Sequence, residues 1–523
     1  MSSLCRLPAG IVLGFAFVAI GAGARADDDP AAPGVARISV LSGGVDVQRG
    51  DSGDTVAAGI NAPLMVGDYL FTEDGAHAEV QFDYATMLRL GANTQIRFTQ
   101  LDSASHALQL AQGTVELRVL RSTRANPEID TPSVAIRPSA SGRYRITVGD
   151  DGNTAITVRA GRAAIVMPQA TQYLVPGNTM VVQGSAAEPD FQYVTTVAYD
   201  GFDRWNDDRD RQLADASSYR YVNDGIVGAD DLGQYGQWVD APGYGQVWAP
   251  TGTPTGWAPY TDGRWVWEGY YGWTWVSYEP WGWAPYHYGR WFFANGVGWV
   301  WAPGPVYVRP VWQPALVAFF TIGGGGFSAG FGNIGWVPLA PFEPFHPWWG
   351  PRFVNRTVIV NNITNVTNIY KNAQVPGAVS AVARRGFGTG EARRVSVQPG
   401  ALRTAQVVTA AVPVVPTRRS LGYSNRTTPN ALHPTAATEH RFRAFPAPKT
   451  PPTSFVEQRR KVESITHAAP ERFGPRPVRT ARPLGGLHSP PPATDVHERT
   501  AAKPGERSTK RPVKRRGSTP SPR

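Results

Sequence analysis

Cysteine is almost missing from these 523 residues, and the one present, Cys5, stands ahead of a mostly apolar run at 7–23. A chain cleaved behind that run holds no thiol, which excludes disulfides, thiolate nucleophiles and cysteine metal sites together. Charge is sparse as well, at 18% of residues. Of nine histidines, five lie in the last third of the chain; His77, His106, His287 and His346 stand isolated in sequence. There is no Gly-x-Ser-x-Gly elbow, no His-Glu-x-x-His pair and no Walker loop. The glycines at 323–326 sit in an apolar stretch with no lysine after them, so they form no phosphate cradle. Catalysis retains only a paired-carboxylate option, in which Glu268 and Glu279 flank aromatic residues as glycosidase acids would. No cofactor and no metal is expected.

What the chain has in abundance is tryptophan: 17 residues, 16 of them between 235 and 350. GWAPYTDGRWVWEGYYGWTWVSYE at 256–279 recurs as GWAPYHYGRWFFANGVGWVWAPGP at 282–305, with eleven of 24 positions identical at a shift of 26. A fixed period means one supersecondary unit used more than once. GQVWAP at 245–250 and IGWVP at 334–338 echo it on either side. Within each copy the aromatics alternate: Trp265/Trp267, Trp273/Trp275, Trp291/Phe293 and Trp299/Trp301. Alternation places each pair on one face of a strand. The short glycine-bearing links at 268–272 and 294–298, the second holding Asn295-Gly296, predict hairpin turns. Each unit therefore reads as a β-hairpin entered through a Trp-Ala-Pro-Tyr corner.

The first 26 residues carry Arg6, the apolar run and Ala24-Arg25-Ala26 ahead of Asp27. That is the pattern of a cleaved secretory signal, and the apolar part is shorter than the ~20 residues a spanning helix needs. The protein is expected in the periplasm or outer envelope of a Gram-negative bacterium. The formal charge of +10 hides two halves: residues 1–350 sum to −12 and 351–523 to +22. An acidic body carries a basic tail.

From 38 to 184 the chain is a run of short alternating strands with turn residues at regular intervals, without helical windows. GGVDVQRG at 43–50 is followed by PLMVGDYLFTEDGAHAEVQFDYATMLRLGANTQIRF at 63–98 and LQLAQGTVELRV at 108–119. Then come IDTPSVAIRPSASGRYRITV at 129–148, DGNTAITVRAGRAAIV at 151–166 and VPGNTMVV at 175–182. This series resembles the FecR-type periplasmic domain. The resemblance implies an all-β domain (sandwich, roll or solenoid-like) that receives a signal in the periplasm and passes it to a sigma factor. Only six residues precede the apolar run, so the sigma-binding part of that plan is not expected here.

Residues 200–217 predict a connecting helix with Phe202, Trp205 and Leu213 on one face. Asp207, Asp208 and Asp210 lack the glycine and distant acid of a calcium loop, so they read as a solvated face. The Trp-rich segment 228–350 resembles an uncharacterised domain that follows FecR-like domains in proteobacterial exported proteins, and the resemblance brings no site residues. A flat ring can stack on a sugar or hold a quaternary ammonium. Trp265, Trp267, Trp273, Trp275, Trp291, Trp299 and Trp301 are the candidate ligand face of one reading; the favoured reading buries them as core. The arrangement is faintly similar to choline-binding wall repeats. Arg264 and Arg290 are expected to stack on neighbouring rings. His287 has Thr261 as its counterpart in the first copy, which argues against a repeated ligand.

Residues 351–372 alternate β-branched residues with asparagine and are expected to add a strand. From 373 to 523 Pro, Ala, Arg, Ser and Thr dominate, predicting a disordered tail. Its KRPVKRR at 510–516 favours anionic lipid or lipopolysaccharide over nucleic acid behind an export signal. Together these features describe a non-enzymatic envelope protein acting as an interaction, scaffold or sensing module, its partner an envelope protein or a glycan. The alternative is a glycan- or cell-wall-binding protein using the Trp face. Cleavage after Ala26 makes Asp27 the first residue recovered from the envelope fraction by mass spectrometry; an intact Met1 end in membranes would replace this with a tethered protein.

Overall fold

The computed structural model describes residues 34–214, 218–322, 332–350, 366–390, 394, 397, 399–403, 405–408, 411–426, 428 and 431–467, all within one compact unit. The leader at 1–26, the 323–326 glycines, residues 351–365 and the stretch from 468 to the end, KRPVKRR included, lie outside the described residues.

Seventeen strands build the N-terminal part. They fall into two sheets that share one strand, Ser105–Val119. The first sheet runs Pro63–Leu64, Ala36–Ser42, His77–Gln81, Thr86–Leu90, the second half of Ser105–Val119, Gly142–Val148, Thr154–Ala160, Asn178–Gly184, Pro189–Thr195. The second runs Thr55–Ala57, Val45–Gln48, Tyr69–Thr72, Gln95–Leu101, the first half of the shared strand, Asn126–Asp130, Ala135–Pro138, Ala163–Val166, Thr171–Leu174. Every pairing is antiparallel except Asn126–Asp130 against Ser105–Val119. The inward residues of both sheets meet in a single core, with Ile38, Val80, Leu88 and Ile146 from one and Val47, Leu70, Ile96 and Ile136 from the other. The fold is thus an open two-sheet sandwich.

The shared strand changes sheet between Gln112, which pairs with Gln95, and Gly113, which pairs with Val148. Gly113 has φ +94°, and a Cβ there would lie 2.5 Å from the Thr94 Cα. Both facts require glycine at the bend.

The helix Gly201–Ala214 lies across the outer face of the first sheet. Leu213 is buried as its spacing predicts, but so are Asp203 and Asn206. The reason is the surface beneath: alternation puts Glu79, Arg89, Glu116, Arg118, Arg143, Arg145 and Arg159 on it. Arg145 and Arg159 grip Asp203 at 2.6 and 2.9 Å, Arg89 and Arg118 grip Asp210 at 2.8 and 2.7 Å, and Arg143 pairs with Asp207. The expectation of a solvated acidic face therefore holds for Asp208, whose side chain is 61% exposed, in part for Asp207 at 39%, and fails for Asp210 at 18%. Helical periodicity finds the face but not the charge of the sheet it meets.

The aromatic repeats form the expected hairpins. Gly263–Glu268 pairs with Gly272–Ser277, placing Trp265 opposite Trp275 and Trp267 opposite Trp273. Arg290–Ala294 pairs with Gly298–Ala302, placing Trp291 opposite Trp301 and Phe293 opposite Trp299. The flanking echoes are hairpin arms too, Gly245–Pro250 against Gly236–Ala241 and Asn333–Pro338 against Val317–Ile322. The two Trp-Ala-Pro-Tyr corners differ: the second is a helical turn, Trp283–His287, while the first holds Tyr260 at φ +61°. The Tyr260 hydroxyl donates to the Tyr286 carbonyl at 2.7 Å and ties the corners together.

One expectation for the C-terminal part is corrected over its first portion, and another falls largely outside the described residues. Of 351–372, the described end is helical, Val366–Ile369 followed by Lys371–Gln374. Of 373–523, the described residues up to 467 include packed segments. Ser380–Ala383 pairs with Asn333–Pro338, and Gln406–Val407 pairs with Val317–Ile322. Val382, Phe387, Leu421, Phe455 and Val462 join the tryptophan core, and Tyr423 joins the sandwich core. Composition averages over the whole segment, whereas a few spaced apolar residues suffice when a preformed aromatic surface receives them. Gly113→Val adds backbone strain to overpacking, and chemical denaturation should find about 2–6 kcal/mol of lost stability; an unchanged midpoint would remove the glycine argument.

Candidate functional site

All seven tryptophans of the candidate ligand face are buried, from 0% exposure at Trp301 to 7% at Trp299. Their rings meet one another edge to face, Trp265 with Trp275 at 5.3 Å and Trp267 with Trp273 at 5.5 Å. Such pairs add about 0.5–1.5 kcal/mol beyond area burial. Some indole N–H groups find acceptors: Trp267 donates to Gln458 Oε1 at 2.7 Å, Trp291 to the Pro285 carbonyl at 2.8 Å and Trp301 to the Tyr288 carbonyl at 2.9 Å. Those of Trp265, Trp273 and Trp275 have none among the described residues, so these rings are held for their surface. None of the seven offers a face to a ligand, so the alternative of an open ligand face is corrected in favour of core. Nor do Arg264 and Arg290 stack on rings among the described residues. Arg264 donates to the Ser424 carbonyl at 2.6 Å, and Arg290 to those of Gly289 and Glu343 at 2.8 and 3.3 Å.

The two candidate acids are also taken up by the fold. Glu268 ends the first hairpin arm, and its fully buried carboxylate accepts from both terminal nitrogens of Arg49, at 2.9 and 2.8 Å. Arg49 follows the Val45–Gln48 strand of the sandwich and also donates to the Trp267 carbonyl at 3.1 Å and to the Tyr423 hydroxyl at 3.0 Å. Burial pushes the Glu268 carboxyl up, and the Arg49 charge beside it pulls it back. Three distant stretches of sequence, around 49, 268 and 423, thus converge on one guanidinium. Nearby, burial raises Asp68 to about 6, against the backbone N–H groups of Gly50 and Met65 that donate to it at 2.8 and 2.9 Å.

Glu279 sits in a neutral cage. Trp257 Nε1 donates to it at 2.6 Å, the Tyr286 hydroxyl at 2.5 Å and the Ser277 hydroxyl at 3.0 Å. With no cation beside it among the described residues, burial raises its carboxyl to about 7. Neither glutamate lines an open cleft, and each is committed to partners of its own. Three of the isolated histidines are equally occupied. His287 is buried between Trp283 and Trp312, with Nδ1 2.7 Å from the Gln313 carbonyl, and burial lowers it to about 3. His106 stacks on Phe82, and His77 lies against Trp205.

A cleft of about 480 Å³ opens beside the helix Phe455–His467, lined by Thr417, Arg418, Phe455, Val456, Arg459, Arg460 and Glu463. Arg418 pairs with Asp54 and Arg459 with Glu463, so the cleft is cationic but partly neutralised. Sequence reading missed this cleft, Arg49 and Tyr423 alike. Their partners lie hundreds of residues away, and no local pattern marks such contacts.

The Glu279 cage has a measurable signature. An unfolded glutamate titrates near 4.5 and this one near 7, so the folded state favours the protonated form. Its stabilising contribution is complete below about pH 4.5 and is lost as pH rises through about 7, a difference of about 3 kcal/mol. Glu279→Gln should flatten the stability profile across that window in thermal melts at several pH values. An unaltered slope would show that the carboxyl titrates normally.

Comparison with known proteins places names on the two parts. The model of the FecR protein family matches residues 68–164, within the sandwich. That of a family of unknown function, DUF6600, matches residues 229–343, the aromatic hairpin region. No curated protein matches the chain. Two crystal structures of a "putative anti-sigma factor" from Parabacteroides distasonis, at 2.50 and 1.65 Å resolution, are similar at 20% and 19% identity. Each match covers 25% of this chain with a TM-score of 0.22, and the chain spans 60% of the length of those proteins. The chain carries a FecR domain at 68–164 followed by a DUF6600 domain at 229–343.

Proposed function

We propose that the protein is an exported, non-catalytic envelope module whose FecR domain serves as an interaction or sensing part and whose aromatic domain braces it. The FecR match at 68–164 is the observation that carries this reading, because domains of that type act as receivers in the periplasm rather than as catalysts. Three features support it. The carboxylates that a hydrolase would use are engaged by Arg49 and by the Trp257–Ser277–Tyr286 cage. The tryptophans that a glycan would need are core. The linker helix is clamped to the FecR sandwich by its acids, and Arg49 fastens the sandwich to the first aromatic hairpin. The basic stretch beyond 467 would add attraction to anionic lipid or lipopolysaccharide, at ~1 kcal/mol per cation close to such a surface.

The test separates bracing from glycan binding. Truncating a packed tryptophan costs about 3–5 kcal/mol, so Trp273→Ala should lower the melting temperature sharply. The parent protein should pass unretained through peptidoglycan and glycan resins. If the parent is retained, and Trp273→Ala keeps its fold but loses retention, the aromatic domain is a glycan binder and the proposal fails.

A further inference from the structure

The two ends of the sandwich are finished differently. At one end the outer strands are Thr55–Ala57 and Pro63–Leu64, and later segments of the same chain lie over them. Thr55 Oγ1 is 3.2 Å from His433 Nδ1, and Asn61, just before Pro63, donates to the Ser277 and Glu279 carbonyls at 3.3 and 2.8 Å. At the other end Thr171–Leu174 closes one sheet and Pro189–Thr195 closes the other. Each pairs with a single neighbour, and no segment among the described residues pairs with its outer side.

That bare end is apolar. Tyr173 is 59% exposed and Tyr193 51%, with Val175, Val194, Val197 and Tyr199 exposed beside them in sequence. Phe191 packs against the sandwich core, while Tyr193, two residues on and therefore on the same face, emerges into solvent. The core thus runs out under the last strand. Natural sheet edges are blocked by charge, proline or a bulge. From Phe191 to Val197 the sequence FQYVTTV has neither charge nor proline, and the pairing with Asn178–Gly184 runs without a bulge.

We propose that Pro189–Thr195 is a self-association edge, and that its occupant is the same strand of a second copy, added antiparallel across a two-fold axis through Tyr193. The charge-free part of the strand, Phe191–Thr195, is centred on that residue. In this register Phe191 faces Thr195 and Gln192 faces Val194. The one acid, Asp190, falls opposite uncharged Thr196, so no like charges meet. A two-fold contact needs one patch that complements itself, and this strand meets that condition. Pairing satisfies the outward N–H and C=O groups of both copies and covers the Tyr193 rings where the core runs out. The inference stands apart from the proposed function, requiring neither export nor a signal.

Light scattering of the purified chain over a range of concentrations should find twice the single-chain mass, falling to one on dilution. Val194→Lys, at a side chain already exposed in one copy, should keep the mass at that of one chain. Tyr307→Lys, at a still more exposed side chain in the aromatic region, should leave it doubled. Because Cys5 is the sole cysteine, a Cys5→Ser background makes a clean reporter. There Tyr193→Cys should cross-link two chains under a mild oxidant, and Tyr307→Cys should not. A single-chain mass at every concentration overturns the proposal. So does a doubled mass that survives Val194→Lys and gives no cross-link through position 193.

Discussion

The Arg49–Glu268 pair is the contact on which the arrangement of the parts depends. It is a bidentate ion pair with both side chains out of water, joining the sandwich to the first aromatic hairpin. Taking two charges out of water is expensive, and attraction between them repays that only with good geometry and additional hydrogen bonds. Here those bonds come from the Trp267 carbonyl and the Tyr423 hydroxyl. The pair therefore specifies position more than it adds stability. Without Glu268, Arg49 would be left charged in an apolar setting, and without Arg49 the buried Glu268 would have to take up a proton, so each segment settles best where its counterpart already stands.

Polar contacts fill the same role along the linker helix. An apolar helix on an apolar sheet face can slide by a turn at modest cost. One whose acids at 203, 207 and 210 meet individual arginines has a single register. The aromatic core supplies the opposite kind of force. Its rings hold by area and edge-to-face contact, which accept side chains from several directions. That tolerance explains how Phe387, Leu421 and Phe455, drawn from a segment poor in apolar residues, find places in it.

The legible parts of this fold are those encoded locally. Alternating tryptophans and the Asn295-Gly296 link specify hairpins whatever the surroundings, and the structure has them in the expected register. The strands of the sandwich were readable for the same reason. What stayed hidden depends on distance along the chain. Nothing near Arg49 points to Glu268, and nothing near Asp210 announces Arg89. The burial of the tryptophans was favoured in sequence but not fixed by it, because a strand face looks the same whether another layer covers it or not. The helices at 436–444 and 455–467 were missed because the composition of the whole segment outweighed short patterns within it.

One strand belonging to two sheets has a consequence for cooperativity. Ser105–Val119 supplies a neighbour to both layers, with Gln95–Leu101 and Asn126–Asp130 flanking its first half and Thr86–Leu90 and Gly142–Val148 flanking its second. Neither layer can be completed while the other lacks this segment, and fraying from its middle removes ladder bonds from both at once. Partly melted species in which one layer survives alone are therefore disfavoured, and the sandwich gains and loses its order as a single unit.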